Sequence, residues 1–432
     1  MYRALQGLPL YGKTLRSRPG WYGPGHPITE LRTIRSHGLT ERPNTMSEFR
    51  IPPISTLAGS VLGSYFKVLR SGTIAKRSYF KVALTTLVVL VRTPFQLWEE
   101  LVYGRRIKRS APMEPPLFIL GHWRSGTTLL HNVLCQDPRA AYLSTYASVF
   151  PNNMASTWIF KTFMGLNMPD KRPSDSVALH PDFPQEDEFA FANMQPNAYY
   201  NFFYFPSQYA AFYDRAVRHN GLDEREVEHW YRTYAKLLRK AAVSGKGKQL
   251  IVKNPVNTAR IDKLLRLYPD AKFLYIHRNP VTVYYSTLRF FQQLMPTLCL
   301  EKLPSDDFLS EMILDVHDRM MRDFAEQRSL IPAGNLLEIR YDTFAEAPLA
   351  TLEMIERQLL RRDPSVAMPC YMAYLKSQKG HRTNTYQVDK VDLTYVMKRL
   401  EPYMREQNFA LPKNVQVITD PTKEPRPTNE RP

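Results

Sequence analysis

LFILGHWRSGTTLLHNVLCQD, from Leu117 to Asp137, reads as strand, tight loop and helix. Leu117 to Leu120 is a short apolar run introduced by Pro115 and Pro116, which suits a buried strand. Thr127 and Thr128 open a helix whose apolar positions, Leu129, Leu130, Val133 and Leu134, recur at three- and four-residue spacing. Between them Gly121 and Gly126 sit at the spacing of a phosphate loop, GxxxxGK[ST], with Thr127 where the lysine belongs. Such a loop turns backbone N–H groups toward an anion and sets it at a helix N-terminus, where the dipole favours negative charge. Ser125, Thr127 and Thr128 add hydroxyls, and Arg124 supplies the cation that the missing lysine would have given.

Working outward, 432 residues are enough for a large core, and 44% hydrophobic with 23% charged residues is ordinary for a globular protein. The net charge of +17 points to an anionic partner. The arginines are scattered rather than gathered in a stripe, so nucleic acid is not expected. Cys135, Cys299 and Cys370 are far apart and support neither a disulfide framework nor a zinc site.

Residues 1–50 read as a basic flexible arm, rich in Arg, Gly and Pro, with Glu30 as the first acid. A transit-type leader has the same composition, and Met46 is a second candidate start; without an apolar h-region a secretory signal is not expected. Residues 51–112 form an apolar helical region. Its second apolar stretch, Val82 to Val91, covers about half of the roughly twenty residues a bilayer needs. Pro94, Glu99 and Glu100 follow, so a simple transmembrane helix is not expected. Two readings of residues 54–103 stay open: interfacial helices anchored by Trp98 and Tyr103, giving peripheral membrane contact, or helices buried against the main domain.

Residues 113–411 read as one α/β domain: a phosphate-loop-type parallel sheet with helices on both faces. Its strands are expected at 117–120, 249–253, 272–277 and 335–341. Residues 142–196 read as a long irregular insert, followed by the aromatic patch Tyr199 to Tyr213. Pro280 suits the first position of a helix running to about Gln293. Residues 412–432, rich in Pro, Lys and Glu, read as a disordered tail.

A phosphate loop admits a nucleotide kinase or NTPase, or an enzyme that holds a nucleotide with a transferable group without metal. The first needs the loop lysine and a carboxylate at a later strand end to hold magnesium. Here the later strands end in Lys253-Asn254-Pro255 and His277-Arg278-Asn279. Arg124, Lys253 and Arg278 neutralise anions directly, which favours the second.

These residues resemble the sulfotransferases that use 3′-phosphoadenosine 5′-phosphosulfate (PAPS), over roughly Pro115 to Leu411. GHWRSGTT looks like their 5′-phosphosulfate loop, and HRNPVTVYYS like their 3′-phosphate motif, with Arg278 and Ser286. RYDTF is similar to a third element, in which Tyr341 would approach the adenine. The likeness is greatest to the membrane-type and bacterial branch, which carries the Pro-x-Glu-Asp-Glu seen at Pro184 to Glu188. The resemblance implies donor binding by Arg124, Ser125, Gly126, Thr127, Thr128, Arg278, Ser286 and Tyr341. It implies PAPS as co-substrate, adenosine 3′,5′-bisphosphate as product, and no metal. It also implies a cytoplasmic enzyme, membrane-associated if the apolar helices are interfacial, or a Golgi membrane enzyme if the source is eukaryotic.

Cytosolic members carry a histidine base after the strand matching Gln249 to Lys253, and this chain has none there. The catalytic set is therefore expected to be Glu186, with Glu188 as second choice, together with Lys253 and Arg124; His122 and His180 are alternatives. Because Glu186 and Glu188 are two residues apart near a helix start, one should face the loop and the other solvent or a cap. The acceptor is expected to be a carbohydrate or lipid rather than a protein. The aromatic patch would line an apolar or sugar cleft, or form core beside a surface helix.

Overall fold

The computed structural model describes residues 54–110, 114–168, 179–245, 248–378 and 384–418. These belong to one compact unit, residues 47–432. The basic arm and its candidate start lie outside the described residues.

Strand β1 (Leu117–Leu120) is buried at every position, and its alternate residues feed two cores. Phe118 and Leu120 join one, Leu117 and Ile119 the other. That two-faced burial explains the unbroken apolar run. Numbering the other strands along the chain, β2 (Ala140–Ala141), β3 (Gln249–Lys253), β4 (Lys272–His277) and β5 (Leu336–Arg340) complete a five-stranded parallel sheet in the order β2-β3-β1-β4-β5. The register aligns Ile119 with Lys253, Leu120 with Tyr275 and His277 with Arg340, so the carboxyl ends of β3, β1, β4 and β5 lie along one edge. In open parallel sheets that edge, where the strand order reverses, is where ligands bind.

Helices cover both faces. Following the N-terminal helices α1 (Leu62–Leu69) and α2 (Tyr79–Arg109) come α3 (Thr127–Leu134), α4 (Thr145–Val149), α5 (Thr157–Asn167), α6 (Asp187–Met194), α7 (Tyr209–Tyr213), α8 (Glu224–Ser244), α9 (Ile261–Leu267), α10 (Pro280–Leu298) and α11 (Asp306–Gln327). Trp230 and Leu237 of α8, Val281 of α10 and Met320 of α11 sit in the core with Phe118. On the other face Leu130 of α3 meets Leu352 of α13 (Pro348–Met354) and Tyr371 of α14 (Met368–Ser377), with α12 (Tyr341–Glu346) between β5 and α13. Asp223 starts α8 with a reciprocal capping box to Glu226.

Three expectations need correction. The stretch read as an irregular insert holds α4, α5 and α6, whose short apolar segments find periodic partners only on folding. Helix α10 continues beyond Gln293 to Leu298, because Met295 and Leu298 have core to enter. Residues 412–432 are not irregular throughout: β7 (Val415–Ile418) pairs in parallel with β6 (Tyr386–Asp389) across α15 (Lys390–Glu406). Helix α2 runs unbroken through the exposed Pro94.

Helix α2 is buried along one side and exposed along the other. Arg92 and Glu99 on α2 are fully buried against the domain. Glu99 pairs with Lys240 of α8, and Arg92 donates to Ser60 O and, at 3.2 Å, to Asn153 Oδ1. The opposite side carries exposed Leu97 and Leu101.

Candidate active site

The loop between β1 and α3 is held by three residues with positive φ: Gly121 (141°), Arg124 (67°) and Gly126 (101°). A Cβ at Gly121 would lie 2.5 Å from Ile276 O and 2.8 Å from Ser125 Oγ. One at Gly126 would lie 2.4 Å from the Tyr341 ring. Glycine is thus required at both places by close approach as well as by φ. Gly121 N donates to Thr258 Oγ1 at 2.8 Å, and Ser125 Oγ donates to His122 O at 2.8 Å, which folds the loop on itself. No side chain caps α3, so its first-turn N–H groups face the loop without an intrahelical acceptor.

Three further strand ends supply side chains to this loop. Lys253, ending β3 and nearly fully buried, donates to Thr128 Oγ1 at 3.3 Å and is ion-paired to Glu186 Oε1. Arg278, after β4, donates to Arg124 O at 3.3 Å and lies 4.1 Å over the Tyr341 ring. Neither contact neutralises its charge, and burial pulls its pKa below the usual guanidinium value. Arg124 Nε donates to Ser286 Oγ at 3.1 Å, and its guanidinium packs against Phe290. Asn279 caps α10 through Val281 N, which fixes the turn from Arg278 to Ser286. Tyr341 follows β5 directly.

The two glutamates divide as their spacing requires. Glu186 precedes α6, and its carboxylate takes Lys253 on one oxygen and the Tyr200 hydroxyl on the other. Tyr200 in turn accepts from Trp123 Nε1 at 3.0 Å, so a loop residue and Glu186 share one tyrosine. Glu188 faces neither the loop nor solvent. It is fully buried and bidentate to Arg260 at 2.6 and 2.9 Å, and it also accepts from Asn254 Nδ2 and Tyr199 N. Four donors occupy its two oxygens, so the second-choice assignment of Glu188 as base does not fit this geometry. Asp187 accepts from Tyr234, and burial beside Glu188 pushes its pKa up to about 7.

The histidine alternatives are His122, inside the loop, and His180. His122 is buried against Trp123 and His317, its Nδ1 at 3.0 Å from Trp123 O, and burial drives its pKa down to about 4. His180 is half-buried beside Asp182 and Phe183. Most of the aromatic patch is core: Tyr199, Phe202, Phe203, Tyr204 and Phe205 are buried. Tyr200 is the member the sequence reading missed as a site residue. Its only signal was its place in that patch, fourteen residues from Glu186.

A sulfotransferase family profile matches residues 115–359. The chain is 31% identical over 312 residues to the omega-hydroxy-beta-dihydromenaquinone-9 sulfotransferase Stf3 of Mycobacterium bovis, covering 72% of this chain and 79% of that protein. Among solved structures, sulfotransferase STF9 from Mycobacterium avium superposes with a TM-score of 0.62 at 16% identity, over 80% of this chain and 89% of that one. STF1 from Mycobacterium tuberculosis superposes with a TM-score of 0.58 at 16% identity, over 79% and 91%. The kinase alternative, which needed a lysine at Thr127 and a metal-holding carboxylate at a strand end, gives way to these matches. The chain is an enzyme that transfers sulfonyl groups and belongs to the PAPS-using sulfotransferase family.

Proposed function

We propose that the chain transfers the sulfonate of PAPS, without a metal, to a hydroxyl or amine of a lipid or carbohydrate, with Glu186 as the base. The observation that carries this is the convergence of Glu186, Lys253 and Thr128 with Arg124, Ser286, Arg278 and Tyr341 on one sheet edge.

Two glycines that tolerate no Cβ, the uncapped start of α3 and three cations fit a donor carrying two separate anionic ends. The loop residues Arg124, Ser125, Gly126, Thr127 and Thr128 hold the phosphosulfate end. Arg278 and Ser286 hold the 3′-phosphate, and Tyr341 borders the adenine. Bound PAPS supplies the sulfonate. Glu186 accepts the proton of the acceptor hydroxyl or amine as the new O–S or N–S bond forms. Lys253 and Arg124 neutralise charge building on the departing 5′-phosphate as its bond to sulfur breaks. The protein's main work is positioning and charge stabilisation. Glu188 serves structure by holding Arg260.

A hydroxylated lipid is the first choice of acceptor, in line with the named substrate of the mycobacterial relative. The bacterial origin of the relatives supports a cytoplasmic enzyme rather than a Golgi one. The test is thermal: adenosine 3′,5′-bisphosphate should raise Tm well above any rise with ATP and magnesium, since a ligand of the native state stabilises by mass action. Stronger stabilisation by magnesium-ATP, with hydrolysis, overturns the reading. Transfer of labelled sulfate from PAPS to a fractionated lipid and carbohydrate extract then names the acceptor class.

A further inference from the structure

Helix α2 is built opposite to an ordinary surface helix. Its buried side holds Arg92 and Glu99. At 3.6 residues per turn, Leu87, Leu90, Val91, Leu97, Leu101 and Val102 share the other side, and they are 49% to 85% exposed. From Tyr79 to Val102 this side carries no charged residue, over about 34 Å at 1.5 Å per residue. Helix α5 packs beside it: Phe160 meets Phe95 edge-on at 5.4 Å, while Trp158 and Leu166 remain 74% and 65% exposed. Trp98, also exposed, stands on α2 itself. An exposed apolar helix side of this length marks an interaction surface.

We propose that the α2–α5 face is a membrane-docking surface that lies in the plane of an anionic bilayer. This goes beyond the donor and base assignments and does not depend on them. Charge selects the occupant. Arg105, Lys108 and Arg109 continue the apolar side of α2 at its C-terminal end, and Lys76 and Arg77 stand just before its start. A second copy paired antiparallel on this face would set basic end against basic end, and a parallel pairing would do the same. Phosphate headgroups complement both ends at once.

Among the described residues α2 is the one helix long and apolar enough to cross a membrane. Its burial pattern excludes crossing in this fold. Spanning would take Glu99 from Lys240 and Arg92 from Ser60 and Asn153, leaving ionised groups in hydrocarbon. The bonded side therefore stays on the protein and the apolar side enters the headgroup boundary, where tryptophans such as Trp98 and Trp158 are favoured.

Truncation is a poor test, because removing residues 1 to about 105 strips Lys240 of its buried partner. The experiment uses the full chain and sedimentation with two vesicle types, pure phosphatidylcholine and phosphatidylcholine with phosphatidylglycerol. Binding should be at least about tenfold tighter to the anionic vesicles. Leu97→Glu with Leu101→Glu should weaken it at least about tenfold on both types, at unchanged Tm and unchanged product binding. Arg105→Glu with Lys108→Glu should remove the anionic preference alone. Quenching by brominated lipid should fall in Trp158→Phe, which alters neither the bonded side of α2 nor the domain core. Three results overturn the proposal: no sedimentation with either vesicle, binding indifferent to the Leu97 and Leu101 variants, or a dimer in lipid-free solution that those variants dissolve. Resistance to alkaline extraction would overturn it too, by showing a spanning helix.

Discussion

Arg124 Nε donates to Ser286 Oγ at 3.1 Å, so the phosphate loop and the helix after β4 are joined directly although 162 residues separate them. Arg278 reaches the same loop through Arg124 O. We expect Arg278→Ala to weaken binding of adenosine 3′,5′-bisphosphate by about 1.5–3 kcal/mol, the range for a hydrogen bond to a charged group, as read by calorimetry. Ser286→Ala should cost less. A donor lacking the 3′-phosphate should bind wild type and the Arg278 variant about equally; a large difference between them would reassign Arg278.

Glu186 and Glu188 should separate cleanly. Glu186→Gln should lower turnover at least about 10²-fold with product binding nearly intact, as removal of a general base does. Glu188→Gln removes the counter-charge from the fully buried Arg260, and breaking a buried pair costs about 3–5 kcal/mol. Its signature is a fall in Tm, with turnover near normal at a temperature where the variant is folded. Near-normal kcat in Glu186→Gln would return His122 and His180 to consideration.

Gly126 and Tyr341 test the loop's shape. Gly126→Ala places a Cβ 2.4 Å from the Tyr341 ring at a φ of 101°, so both sterics and backbone oppose it. We expect a lower Tm and loss of product binding. Tyr341→Ala in the same chain should recover part of the Tm, leaving the backbone strain. No recovery would mean that φ alone sets the cost.

Asp187 predicts a pH dependence of stability. Its folded pKa, raised to about 7 by burial and by Glu188, exceeds the ordinary value of 3.8. Between these values the folded state holds more protons than the unfolded one, so this group's contribution falls as pH rises from about 4 to about 7 and is level above. Asp187→Asn keeps an acceptor for the Tyr234 hydroxyl and carries no charge. The variant should match wild type near pH 4 and exceed it in Tm at pH 8. Equal pH slopes in the two proteins would refute an ionising Asp187.

The phosphate-loop unit, its flanking strands and the basic residues that end β3 and β4 were readable from the chain alone. Each rests on spacing within about ten residues, where apolar periodicity and glycine placement act locally. Arg278 and Ser286 came from the resemblance of HRNPVTVYYS to a family motif, which is short enough to be seen in the chain although Arg278 precedes α10 and Ser286 lies within it. The division of Glu186 from Glu188 was not. Their spacing says that they diverge, but Lys253 and Arg260, 67 and 72 residues away, decide which turns toward the loop and which is sealed inside. Tyr200 belongs to the site because tertiary packing brings Trp123 and Glu186 to one hydroxyl. The two sides of α2 were ambiguous for the same cause. Pro94, Glu99 and Glu100 weaken an apolar pattern read linearly, and only the partners of Arg92 and Glu99 show that these two charges point inward while Leu97 and Leu101 face outward. Local physics set the loop and the strand ends, while long-range pairing of buried charges set the surroundings of each carboxylate.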